Sequence, residues 1–179
     1  DWTVGSLLGD WTEGRTALED VVDMRGTPKR VRDMIRNTVL ADVARLRPKR
    51  GNRLADYTVV VEIDPGQAAK AQRDDFADEF SKLGVSYDFV RPVSGDDKET
   101  RAKPASSDAE NGNIVIKAAE WNERVLNVLQ AFPGGAHDDH VDSLSGAVNW
   151  LRAHPVHRRP TNDHHDKARH ERPHMRGGF

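Results

Sequence analysis

Two groups of acidic residues in this chain have the type and spacing to do chemistry. Glu62 stands near the end of the β-branched run Tyr57–Ile63 (YTVVVEI), directly before Asp64-Pro65-Gly66. A carboxylate on a strand that reads as buried on both faces is costly unless it is paired or bound to a metal. From spacing alone, Glu62 is better explained as a strand-end acid facing solvent or salt-bridged to a neighbouring Lys or Arg. The second group is His137-Asp138-Asp139-His140-Val141-Asp142. Capping and the helix dipole account for one or two acids at a helix N-terminus, but not readily for three within five residues. On a helical wheel Asp138 lies beside the apolar stripe, Asp142 stacks one turn further on, and Asp139 points away. Such a cluster repels itself unless cations neutralise it, and oxygen-only ligands suit Mg²⁺ or Mn²⁺.

Other motifs carry less. Gly66-Gln67-Ala68-Ala69-Lys70 follows a strand and opens a helix, yet it lacks the second Gly and the Ser or Thr of a phosphate loop. Nucleotide hydrolysis is rejected on that ground, leaving Lys70 as a surface or nucleic-acid contact. Lys98, Arg101 and Lys103 place three cations at the start of a helix. They read either as a solvated face or as contacts to a phosphate backbone, which would require them to lie near the acidic cluster. All eight His lie at or after His137 without a supported zinc spacing, and Ser143 and Ser145 lack a nucleophile elbow.

The elements that must position these residues alternate between strand and helix. Thr3–Leu8 and Thr16–Met24 read as a hairpin around the loop from Gly9 to Gly14. Thr27-Pro28 opens a helix with Val31, Ile35, Val39 and Val43 at four-residue spacing. The strand at Tyr57–Ile63 is followed by a helix over Gln67–Leu83, with Ala71, Phe76 and Phe80 on its inner face, and by a strand at Val85–Val90. Lys98–Glu110 reads as a helix, Asn113–Lys117 as a short strand, Glu120–Phe132 as a helix with Val125, Leu126 and Leu129 inward, and His137–Ala153 as the last helix, on which Val141, Leu144, Val148 and Leu151 form one stripe. The fold class is α/β, a mixed central β-sheet flanked by helices.

The chain has 179 residues with 29 acids against 27 Lys and Arg, and no Cys. The missing Cys excludes a disulfide scaffold, a thiolate nucleophile and any Cys-containing zinc site. A mean hydropathy of −0.74 is low for a compact domain. Residues from Arg152 to Phe179 explain part of it: six Arg and one Lys stand against two Asp and one Glu, with almost no large apolar residue. This predicts a body at 1–152 and a basic, His/Arg-rich disordered tail at 153–179. No apolar run is long enough to span a membrane and no signal peptide is visible, so the expectation is a soluble cytoplasmic domain. A start at Asp1 rather than Met suits a fragment of something longer.

The stretches DWTVGSLLG, VVVEIDPGQAAKAQ, GDDKETRAKPASSDAENGNIVI, WNERVLNVLQAFPGG and AHDDHVDSLSGAVNWL, in this order, resemble the C-terminal nuclease domain of tailed-phage terminase large subunits. The resemblance covers residues 1–152 and implies a ribonuclease H-like fold with carboxylates converging at one end. It implies a divalent-metal-dependent endodeoxyribonuclease that cuts concatemeric viral double-stranded DNA during packaging. Its metals would be two Mg²⁺ or Mn²⁺ ions; its partners an ATPase domain, the small terminase subunit and the portal, in the host bacterial cytoplasm. The family's strand acid falls on Glu62 and its third acidic site on Asp138 and Asp139, with Asp142 a further ligand. Lys70, Lys98, Arg101 and Lys103 would meet the DNA. The family's first catalytic Asp lies on a strand before the DWTVG segment, so the expected fold lacks that first strand, with Asp1 at its boundary as a further metal-site candidate. Two alternatives accompany this reading: a catalytically silent DNA- or partner-binding remnant of the domain, and another nuclease of the same fold, such as a resolvase.

Overall fold

The computed structural model describes residues 2–50, 57–63, 66, 69–91 and 97–154, with the side chains of 47–50 left aside. Asp1, Asp64, Pro65, Gln67 and the tail from residue 155 lie outside the described residues. The elements run β1 (Thr3–Asp10), β2 (Thr16–Met24), α1 (Pro28–Arg50), β3 (Thr58–Glu62), α2 (Ala69–Leu83), β4 (Ser86–Val90), α3 (Lys98–Glu110), β5 (Ile114–Ile116), α4 (Asn122–Ala131) and α5 (Asp139–Ala153).

The strands form two ladders. β1 and β2 make an antiparallel hairpin, and β5 joins β2 in parallel, so this three-stranded sheet is mixed, in the order β1-β2-β5. β3 and β4 form a separate parallel pair, with Thr58 opposite Ser86 and Glu62 opposite Val90. Among the described residues, β1 and β3 each keep one edge without a strand partner. The hairpin loop is tighter than its sequence suggests, because β1 continues to Asp10 and the turn is made by Thr12–Gly14. Glu13 and Gly14 both take left-handed backbone there, at φ 61° and 75°, a conformation that glycine adopts without steric cost.

Each ladder has its own core. Val39 and Val43 of α1 pack with Phe76 and Phe80 of α2 and with Val85, against Val59, Val61 and Phe89 of the parallel pair. Leu18 and Val21 of β2 pack with Val125 of α4, joined by Val4, Leu8, Ile116, Leu129 and Leu144. The four-residue stripe on α1 faces this core from Ile35 onward: Ile35, half-buried, packs against the cluster with Val39 and Val43, whereas Val31 is half-buried outside it. Ala71 is exposed, because five residues before Phe76 place it well round the helix from that face. The β3 strand, expected to be buried on both faces, is half-buried along Thr58–Val61 because only β4 flanks it.

Helix α2 ends in paired caps: Val85 N–H donates to Phe80 O at 3.2 Å and Gly84 N–H to Ser81 O at 3.1 Å, with Gly84 at φ 69°. This is a Schellman ending, which favours glycine at its left-handed position. It turns the chain so that Val85 enters the core directly behind Phe80. Phe80 is fully buried and stacks on Phe76, ring centroids 5.5 Å apart. Truncating Phe80→Ala should lower stability by about 3–5 kcal/mol in a urea titration, whereas Leu40→Ala, on the exposed face of α1, should change it by less than about 0.5 kcal/mol.

Candidate functional site

The acidic cluster is built at the head of α5. Asp138 occupies the N-cap position and its carbonyl accepts the Asp142 N–H at 3.0 Å, so the helix begins in register behind it. Its carboxylate, however, caps no backbone N–H of the first turn. It accepts a hydrogen bond from Lys98 Nζ at 2.6 Å. The same ammonium lies 3.0 Å from Asp142 Oδ2, and Arg101 Nη2 lies 3.1 Å from Asp142 Oδ1. Two carboxylates one helical turn apart thus converge on one cation, and Asp139, half-buried beside them, makes no ion pair or hydrogen bond among the described residues. The two acids hold the Lys98 ammonium above its ordinary pKa, chiefly through the Asp138 hydrogen bond.

Helix α3 supplies those cations because of how it lies on α5. Its N-cap, Asp97, accepts the Thr100 N–H at 2.5 Å, which holds that carboxyl below the usual range. Buried Ala102 and Ala105 leave room for close packing. Asn149 donates to Arg101 O at 3.0 Å, and Arg152 Nη2 reaches Asp108 at 2.8 Å. Partners advance together along both chains, from 98 with 138 and 101 with 142 to 108 with 152, so α3 and α5 run parallel. Both positive helix ends therefore point toward the same acids.

A buried polar group fixes α5 from the other side. His140 Nε2 lies 2.7 Å from Asp23 Oδ2, at the end of β2, and Arg124 of α4 forms an ion pair with the same carboxylate oxygen. Burial, reinforced by the Arg124 charge and opposed by Asp139, pushes the imidazole below its ordinary pKa. The neutral ring then donates from Nε2 to Asp23, leaving Nδ1 buried without a partner. The sequence reading missed Asp23 and Arg124. The available signal was His140 itself, which heads the stripe of Leu144 and Val148 at four-residue steps and so has to be buried.

Glu62 ends β3 as an exposed side chain with no ion pair or hydrogen bond among the described residues. Beyond it, at the carboxyl end of the parallel pair, lies a cleft of about 620 Å³ lined by Lys70, Arg73 and Arg91 with Tyr87 and Phe89. Among the described residues none of the three cations forms an ion pair, although Asp74 also lines the cleft; Arg73 lies over the Phe89 ring, 5.3 Å from its centroid. Of the cations read as DNA contacts, Lys98 and Arg101 are thus engaged internally, Lys103 is exposed, and Lys70 faces this cleft.

A family model described as the terminase RNaseH-like domain matches residues 1–151. The chain belongs to this terminase RNaseH-like family. Searches of curated proteins and of solved structures returned no match. The terminase RNaseH-like assignment carries with it a nuclease-type domain whose relatives generally use divalent metals. The acids at the head of α5 suit such an ion: two carboxylate oxygens already face one cation, and Mg²⁺ is commonly held by one or two carboxylates together with water and substrate phosphates. Among the described residues, no group of three His, Asp or Glu gathers closely enough to hold a metal by itself. Asp1 lies outside the described residues. Among those residues, no helix is long and apolar enough to cross a membrane.

Breaking the buried anchor should loosen the head of α5. Asp23→Ala leaves His140 and Arg124 without their shared acceptor, and the expected loss is about 3 kcal/mol in chemical denaturation. Protection of the first-turn amides of α5 in hydrogen exchange should fall with it.

Proposed function

We propose that this domain is a metal-dependent DNA endonuclease of a terminase large subunit, cutting concatemeric viral DNA during genome packaging. The observation that carries the reading is the convergence of Asp138 and Asp142 on one cation position, in a chain of the terminase RNaseH-like family. A Mg²⁺ or Mn²⁺ pair about 4 Å apart would supply a more acidic water and charge stabilisation at the leaving oxygen. Asp138, Asp139 and Glu62 would serve as the carboxylate ligands, with Asp142, and Asp1 from the segment before β1, as further ones. Asp23 and His140 would keep the Asp138–Asp139 turn in place. Glu62, with no hydrogen-bond or ion-pair partner among the described residues, would be open to an incoming cation.

Recognition of DNA would be electrostatic. Lys70, Arg73 and Arg91 line a cleft beside the strand that ends in Glu62, and cations interleaved with aromatic rings suit a sugar-phosphate chain. Lys98, Arg101 and Lys103 would flank the acids on the α3 side. None of this requires base-specific contacts, as befits cutting without strict sequence. Double-stranded DNA is the substrate in this reading, with an ATPase domain, the small terminase subunit and the portal as packaging partners in the host bacterial cytoplasm.

One observation favours a second reading, a catalytically silent domain that binds DNA or a packaging partner: the described acids do not gather in a group of three. A plasmid-nicking assay in Mn²⁺ separates the two. The nuclease reading expects nicking that falls by about 100-fold or more in Glu62→Ala and in Asp138→Asn. Wild-type protein that binds plasmid without nicking it would establish the silent reading instead.

Binding can be followed separately by fluorescence anisotropy in EDTA. Removing one phosphate contact with Arg73→Ala or Arg91→Ala should reduce the slope of log K against log salt by about 0.9. Lys82→Ala, whose side chain pairs with Asp78 on the exposed face of α2, should leave the slope unchanged.

A further inference from the structure

The Lys98 ammonium sits between two carboxylates at the head of α5. Asp138 and Asp142 each turn their Oδ2 toward it, at 2.6 and 3.0 Å. Arg101 takes the remaining Asp142 oxygen, Oδ1, and is itself held: its side chain is only 22% exposed and its carbonyl accepts from Asn149. Lys98 is placed differently. It is the first residue of α3, 47% exposed, with a flexible four-carbon stem that leads out to solvent. One cation of the pair is therefore fixed and the other free to leave.

Resting on the metal-dependent reading above, we propose that Lys98 is an exchangeable counter-ion: a divalent cation displaces it from Asp138 and Asp142, and the released ammonium binds a DNA phosphate. Asp138, Asp139 and Asp142 against Lys98 and Arg101 leave the head of α5 with a net charge of −1, whereas a divalent ion in place of Lys98 neutralises it. An ammonium and a metal ion cannot both sit between the same two oxygens, because the metal draws those oxygens to about 2.0–2.1 Å and repels the like charge. Without a metal, Lys98 keeps two acids at four-residue spacing from repelling each other. With one, its charge becomes available to the substrate at the N-terminus of α3. Metal and DNA then reinforce each other's binding reciprocally, since each favours the state in which Lys98 has left the acids.

The test is calorimetric titration of the full chain with Mn²⁺ in the absence of DNA, comparing wild type, Lys98→Met and Asp138→Asn. Lys98→Met keeps the stem and removes the competing charge, so it should bind Mn²⁺ roughly fivefold more tightly. Asp138→Asn should lose the site and so report any background from the His-rich tail. Lys98→Gln, with a polar end, should shift affinity in the same direction as Lys98→Met and guards against a folding defect in either. Ca²⁺ should raise the affinity of wild type for a labelled duplex, and this gain should vanish in Lys98→Met. Unchanged or weaker Mn²⁺ binding by both Lys98 variants, with wild type still binding, would overturn the exchange while sparing the metal site. If neither wild type nor the Lys98 variants binds Mn²⁺ above the Asp138→Asn background, the metal-dependent reading falls, and the exchange with it.

Discussion

Like charges crowded at one helix end have to be compensated, and much of this domain is arranged around that requirement. Asp138, Asp139 and Asp142 share the first turn of α5. The compensation comes from a parallel neighbour, α3, whose own positive end and whose Lys98 and Arg101 side chains meet the acids. Parallel packing of two helices aligns their dipoles side by side, which is unfavourable unless negative charge sits at the shared end. The acids and the helix pair thus stabilise one another. Neither arrangement is simple to account for without the other.

The hold on β2 gives this compensation a fixed location. Asp23 and His140 are both nearly buried, and a carboxylate in that setting needs partners to remain charged. Arg124 contributes the charge and His140 the directed hydrogen bond. Because three elements, β2, α4 and α5, meet on one carboxylate oxygen, the turn carrying Asp138 and Asp139 cannot shift without disturbing the sheet. The buried His140 Nδ1, without a partner, shows that the network is asymmetric: its strong hydrogen bond lies toward the sheet.

The order and type of the elements were legible in the sequence because their signals are local. The β-branched run at Tyr57–Ile63, Pro28 opening α1, and the apolar stripe of α5 each depend on spacing within one segment. What was not legible depended on contacts across the chain. Lys98 and Arg101 look like a solvated face because nothing local records that residues 40 positions away are their partners. Asp23 looks like one more strand acid until α5 is packed against it. Glu62 was legible as an unusual acid at a strand end, but the expected burial failed because strand neighbours, not strand composition, decide how much of a strand is covered. The terminase resemblance, by contrast, was carried by collinear motifs and needed no contacts to be seen; the family match over residues 1–151 bears it out.

Among the described residues, the two ladders share no strand pairing. They are joined by side chains: Arg45 of α1 bridges Glu19 of β2 to Asp42, which also accepts from Tyr57 just before β3, and Trp150 of α5 donates to Asp88 of β4. A separate hydrophobic core lies behind each ladder, and separately packed regions of a domain can open with different free energies. Glu62 ends a strand of one ladder, whereas Asp138 heads the helix that packs on the other. A ligand that spanned both would act as a clasp, adding its binding free energy to the cohesion of the whole.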